Sequence, residues 1–174
     1  MAVLVTHPGR QHSHQAALAL QNALQLAGYW SGVPSTAERF AALPSGLRHR
    51  LSYAPVALQP ERARSATWCP ALRRFGEFAL PARTAGWSDY LACRLFDRWA
   101  AKGLPRLRPQ AVIACEISSL STFRSARELG ILTILDAPSL HHIAQDRLHG
   151  TLDSPALHRR ITRIKDAEIA AADH

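Results

Sequence analysis

The chain has 174 residues, 47% of them hydrophobic, and a formal net charge of +8 carried almost wholly by arginine, with Lys102 and Lys165 as its lysines. That length suits one domain, and a domain of that size buries about 70% of the surface its unfolded chain exposes. No apolar run reaches the roughly 18 residues of a membrane span and no basic stretch leads into a long apolar one, so neither a transmembrane helix nor a secretory signal is expected and the placement reads as cytoplasmic.

A short apolar run from Ala2 to Thr6 reads as the first strand and feeds a polar turn, His7-Pro8-Gly9-Arg10-Gln11-His12-Ser13-His14. The spacing of Ala16, Leu20, Leu24 and Ala27 predicts a helix from His14 to Ala27, with Ser13 as its N-cap and Gly28 as its left-handed stop. Tyr29 to Val33 reads as a second short strand closed by Pro34. From Ser35 to Pro109 the pattern weakens, and two helical segments stand out, over Pro70 to Ala79 and Ser88 to Ala101, the second with Tyr90, Leu91, Leu95 and Trp99 on one stripe.

Beyond Pro109 the signal sharpens. Ala111 to Cys115 is a continuous apolar run of strand length, a helix follows from Ser118 or Ser119 to Leu129 with Gly130 as its stop, and Ile131 to Leu135 is a second apolar strand. Strands apolar at nearly every position are those covered on both faces, as in a parallel sheet flanked by helices, and this strand–helix–strand run is a βαβ unit. Ile161 to His174 reads as an amphipathic helix of the kind that leads into another strand, and none follows. The expected fold is α/β: a Rossmann-like, open, mainly parallel sheet flanked by helices, one domain over residues 1–174, incomplete at its C-terminal end.

Ligands of open parallel sheets bind beyond the carboxyl ends of the strands, near the switch in strand order. That rule selects three loops, expected on one rim: His7 to His14, Glu116-Ile117-Ser118-Ser119, and Asp136-Ala137-Pro138-Ser139-Leu140-His141-His142. In the first loop Gly9 admits close approach of backbone to a ligand, and Arg10, Gln11 and His12 stand at a helix start that favours an anion. Pro8-Gly9 read simply as a tight turn, with Ser13 as a cap, is the alternative. The fingerprint GxGxxG is absent. His12, His14, His141 and His142 are candidates for hydrogen bonding or general-base work, while no carboxylate or cysteine spacing points to a metal. Asp136, at the end of a buried strand, is placed to accept a hydrogen bond from a sugar hydroxyl or to orient a histidine; capping the turn before Pro138 is its structural alternative. Glu116 holds a similar position. Ser118 and Ser119 read first as helix caps.

Cys69, Cys93 and Cys115 are odd in number and scattered, with no CxxC pair, so no disulfide is expected and Cys115 reads as a small core residue. The positive charge favours anionic partners, yet the arginines are spread and describe an anion-tolerant surface. Arg62, Arg64, Arg73 and Arg74 are candidates to face anionic headgroups in a peripheral membrane contact, a solvated basic face being the alternative. No interleaved basic–aromatic motif supports nucleic acid as a partner.

Taken together, the two ends of the chain resemble a known family. Arg163-x-Lys165-x-x-Glu168-x-x-x-Ala172-Asp173 resembles the helix that ends the acceptor lobe of family-4 glycosyltransferases, the stretch from Gly130 to His142 is similar to the strand and loop before it, and His7 to His12 is similar to the family's first Gly-containing loop. The resemblance implies the N-terminal lobe of a GT-B fold and transfer of a sugar from a nucleotide-sugar donor to a glycan or lipid-linked acceptor, with retention and without a metal or other cofactor. It places Gly9, Arg10, Gln11 and His12 toward donor phosphates and acceptor, Asp136, His141 and His142 near the reacting sugar as catalytic candidates, and Glu116, Ser118 and Ser139 on the acceptor-side rim. Many members have a histidine where Asp136 aligns, a departure that bears on its catalytic role. The donor lobe, with its basic pair and Glu-x7-Glu motif, is not in this sequence. A truncated or split enzyme, inactive without a separate donor-domain chain, is therefore expected. A standalone Rossmann-like module for a phosphorylated ligand or a protein partner is the alternative.

Overall fold

In the computed structural model, which describes residues 1–9, 12–42, 45, 57–79, 81–139, 141–149 and 154–174, without the side chains of residues 39, 77–79, 82, 83, 85, 142, 145, 148 and 149, five strands pair as one parallel sheet. They are β1 (Val3–His7), β2 (Leu26–Ser31), β3 (Ala63–Ser65), β4 (Ala111–Cys115) and β5 (Leu132–Asp136), in the spatial order β3-β2-β1-β4-β5. The described helices are α1 (Ser13–Asn22), α2 (Ala37–Ala41), α3 (Trp68–Ala79), α4 (Ala82–Leu107), α5 (Leu120–Glu128), α6 (His142–His149) and α7 (Pro155–Ala171). The fold is the expected α/β, Rossmann-like one.

The pleat sends alternate residues to opposite layers. Leu4, Trp30, Val112 and Ala114 pack against Ala100 and Leu104 of α4, Phe123 and Ala126 of α5, and Ala171 of α7. Val5 and Tyr29 pack the other way, against Ala17 of α1 and Leu58. This double cover explains why β4 is apolar throughout and β1 is apolar from Val3 to Val5. From β3 the chain returns through α3 and α4 to β4, on the far side of β1. The loops after β1 and β4 thus leave adjacent strands for opposite directions, which makes their junction the switch point.

Several expected boundaries move. Helix α1 stops at Asn22 rather than Ala27, because Leu24 takes φ 57° and Gln25 donates its N–H to the Leu20 carbonyl at 2.8 Å. Gly28 is consequently not the helix stop but a residue of β2, where the Arg62 carbonyl lies 3.4 Å from the point a Cβ would occupy. The stripe expected on α4 is also displaced: Leu91 is 47% exposed, and the inward face is Ala92, Phe96, Ala100 and Leu104 at four-residue spacing. Gly130 closes α5 at φ 68°, as expected. β5 is only half-buried at four of its five positions, being an edge strand whose Leu135 N–H donates to the His174 carbonyl at 2.8 Å. Among the described residues no helix is long and apolar enough to cross a membrane.

One packing contact carries a prediction. The Trp30 ring lies edge-on to Trp99 at 5.8 Å, and the Arg64 guanidinium stacks near both, 4.9 and 5.1 Å from the ring centroids. A Cβ on Gly103 of α4 would fall 2.4 Å from the Trp30 ring. Gly103→Ala therefore gains helix propensity of about 1 kcal/mol but overpacks a closed aromatic layer at a cost of about 1–3 kcal/mol. A net loss of up to about 2 kcal/mol, read from urea unfolding, is the expected result.

Candidate ligand-binding cleft

The carboxyl ends of β1, β4 and β5 are held level by their register, with Thr6 opposite Ala114 and Cys115 opposite Asp136. The three loops chosen from the sequence therefore emerge on one rim. Between them lies a cleft of about 290 Å³ at the β1/β4 junction, lined by His7, Gly9, Glu116 and Ile117 from the strand ends and by Arg73, Asp89 and Cys93 from α3 and α4. A smaller pocket of about 90 Å³ shares Glu116 with it and is walled by Ser139, His141 and Lys165.

On the β1 side, His7 is buried and its Nδ1 accepts the Gly9 N–H at 2.8 Å, which puts the neutral ring's proton on Nε2. Arg10 and Gln11 lie outside the described residues. His12 leads into α1, and its Nε2 lies 2.8 and 3.0 Å from the two carboxylate oxygens of Asp136. This pair joins the loops after β1 and β5 across the end of β4. Ser13, the expected cap, instead has its hydroxyl 3.0 Å from the buried Tyr29 hydroxyl, and the N-cap position is His12.

On the β4 side, α7 grips the loop with two residues one turn apart. Lys165 is 8% exposed; its Nζ lies 3.0 Å from Glu116 Oε2 and donates to the Ser139 hydroxyl at 3.0 Å. Ser139 in turn donates to Glu116 Oε1. Glu168, fully buried, accepts N–H bonds from Ile117 at 2.6 Å, Ser119 at 2.9 Å and Leu120 at 3.2 Å. Ile117 has φ 68°, a left-handed conformation that costs a β-branched residue about 1–2 kcal/mol, and its N–H bond to Glu168 holds it there. Asp97 of α4 accepts the next two N–H groups, from Ser121 at 2.7 Å and Thr122 at 2.8 Å. Arg94 Nη1 lies 2.9 Å from Asp97 and 3.9 Å from Glu168. The start of α5 is thus filled by carboxylates of the protein itself.

Ser118 is not on the rim: it is fully buried, and its hydroxyl donates to the Cys115 carbonyl at 3.0 Å. Ser139 and His141 meet at the smaller pocket with Glu116, and His141 lies 4.0 Å from Asp166. His142 opens α6, and its side chain is outside the described ones. Arg73, Asp89 and Cys93 come from the stretch whose pattern is weak in sequence. Arg73 Nε lies 2.6 Å from Asp89, and its Nη2 donates to Cys93 Sγ at 3.2 Å. Of the four arginines considered for a membrane face, three make contacts within the fold: Arg62 with the Leu26 carbonyl, Arg64 with the tryptophans and Arg73 in the cleft.

Burial pushes the Cys69 thiol up to about 12, the Cys93 thiol up to about 11 and the Cys115 thiol upward as well, so none is poised as a thiolate nucleophile. Among the described residues no three His, Cys, Asp or Glu side chains converge as a metal site requires. What remains is hydrogen-bond chemistry: the wall of the cleft offers cationic donors and anionic acceptors already paired with one another. Beside it stands an imidazole fixed by a carboxylate, an arrangement that orients a hydroxyl or takes its proton.

No family model matches the chain, and no curated protein matches it. Among solved structures it is similar to UGT2 of Phytolacca americana, complexed with UDP-2fluoro-glucose and pterostilbene, with 15% identity and a TM-score of 0.43 over 85% of this chain and 33% of that one. The chain spans about a third of that protein's length, and so distant a likeness assigns no chemistry to it.

Proposed function

We propose that this chain is the acceptor-side half of a glycosyltransferase, holding a sugar acceptor in the rim cleft while a nucleotide-sugar-binding lobe brings the donor. The observation that carries the reading is the 290 Å³ cleft at the switch point with its internally paired wall, Arg73 against Asp89 and, nearby, Glu116 against Lys165. Paired charges suit a neutral polyol, whose hydroxyls both donate and accept, better than a free phosphate. The occupied start of α5 supports the same assignment. The helix terminus that would cradle a diphosphate beyond β4 has its N–H groups committed to Glu168 and Asp97, so the donor's diphosphate belongs to the other lobe.

In this reading His12, fixed by Asp136, meets the acceptor hydroxyl. Under the retention that the family resemblance implies, the departing diphosphate takes the hydroxyl's proton and the dyad positions the oxygen. No metal or cofactor enters the step. Glu116, Ser139 and His141 shape the acceptor side, and the chain alone turns over no substrate.

The test is binding first and turnover second. A panel of mono- and disaccharides is titrated into the chain by saturation-transfer NMR, with UDP-glucose as the donor probe. Expected are saccharide binding, weakened about tenfold by Asp136→Ala, and no transfer to any saccharide without a further lobe. Robust transfer by the chain alone, or tight UDP-glucose binding with no saccharide binding, defeats the proposal.

A further inference from the structure

Asp89 and Cys93 of α4 face the cleft, whereas Tyr90, about 100° further round the helix, lines a second groove of about 240 Å³ together with Arg160, Arg163 and Ile164 of α7. The two walls differ in a way that matters for ligands. In the cleft Arg73 has its carboxylate at hydrogen-bonding distance. In the groove Arg160 and Arg163 are exposed and stand one turn apart, and among the described residues neither makes an ion pair with a carboxylate. The Arg160 guanidinium lies 5.8 Å from the Trp87 ring centroid, and Trp87 meets Tyr90 edge-on at 6.1 Å. That aromatic support orders Arg160 at the groove without neutralising it. The chain's excess of +8 thus includes two guanidinium groups that share a concavity and that no carboxylate among the described residues neutralises.

We propose that this groove is a phosphate-binding subsite. Its two guanidinium groups take the oxygens of a phosphomonoester or phosphodiester, and the Tyr90 hydroxyl supplies a third donor. Guanidinium forks match phosphate oxygens in geometry as well as charge, which a scatter of surface lysines would not. The chemistry is common to a soluble phosphorylated compound and to the headgroup of an acidic lipid. The inference does not depend on the glycosyl-transfer reading, since it uses no residue of the cleft.

The experiment compares two variants that remove the same charge. Arg160→Gln/Arg163→Gln empties the groove, and Arg106→Gln/Arg159→Gln removes two exposed arginines that do not line it. Each is titrated with inorganic pyrophosphate by calorimetry and sedimented with vesicles of phosphatidylcholine containing phosphatidylglycerol, or of phosphatidylcholine alone. The groove variant is expected to lose affinity by about tenfold or more, the control by less than about twofold, and Tyr90→Phe by about two- to threefold. Loss against pyrophosphate alone identifies a soluble ligand, and loss against acidic vesicles alone identifies a headgroup; either supports the site. Equal losses in both double variants, or no binding of either probe by the unaltered chain, overturn it. Saccharide binding in the cleft stays unchanged in the groove variant, so failure here is distinct from failure of the acceptor reading.

Discussion

Asp97→Ala is expected to lower the stability of the chain by about 3–5 kcal/mol, a large part of the roughly 5–15 kcal/mol that holds a domain of this size together. Asp97 is fully buried in the middle of α4, and one carboxylate serves three partners at once. Its Oδ2 takes the Ser121 N–H at 2.7 Å, and its Oδ1 takes the Thr122 N–H at 2.8 Å and the Thr122 hydroxyl at 2.9 Å. Arg94, one turn earlier, lies 2.9 Å from Oδ2. Alanine leaves two N–H groups at the start of α5, a hydroxyl and a mostly buried guanidinium facing a void. Asp97→Asn retains one acceptor and should cost less. Arg94→Met combined with Asp97→Ala should recover part of the loss, because it removes the cation that the single change strands. Urea unfolding of the four proteins measures this; a cost under about 1 kcal/mol for Asp97→Ala would show that the network contributes little.

The contrast between what was legible in sequence and what was not follows from how each feature is encoded. β1 and β4 announce themselves because both of their faces are covered, so nearly every residue is apolar, and the rim then follows from the rule about strand ends. Asp136 and His12 were separately visible as rim residues. Their meeting at 2.8 Å was not, because it joins residues 124 positions apart across the end of β4. The boundary of α1 is hidden in the sequence because Leu24 and Ala27 continue the helical spacing while Leu24 adopts the left-handed turn normally left to glycine. Ser118 illustrates the opposite error. A serine after a strand looks like a cap or a ligand contact, but here the caps come from Glu168 and Asp97 on other helices, and no local pattern reports a cap delivered from 49 or 24 residues away. Lys165 and Glu168 did leave a trace, an i, i+3 pair that puts both on one face of α7. Arg73 and Asp89 left none, since each is a charged residue on a separate amphipathic helix and their pairing across α3 and α4 has no local pattern.

Glu168 makes the stability of the fold depend on pH in a direction opposite to that of most carboxylates. Burial raises its carboxyl from 4.5 to about 7, outweighing the N–H donors of Ser119 and Ile117, which favour the ionised form. The groups facing it are Arg94 at 3.9 Å and, on the same helix as Arg94, Asp97, whose charge adds to the rise. Between pH 4.5 and 7 the folded chain therefore holds a proton that the unfolded chain has released, and stability falls as pH rises through that window. The contribution is complete below the unfolded value, gone above the folded one, and on the order of 3 kcal/mol. Glu168→Gln, which cannot titrate, should lose overall stability because its amide turns a donor toward one of the N–H groups, yet should be flatter in pH. Urea midpoints at pH 5, 6, 7 and 8 for both proteins isolate the effect, since the two chains differ only at residue 168. The difference between the two chains should be greatest at pH 5 and should shrink toward pH 8. A constant difference across the series would mean that Glu168 stays ionised throughout, held so by the N–H groups that fix Ile117 at the edge of the cleft.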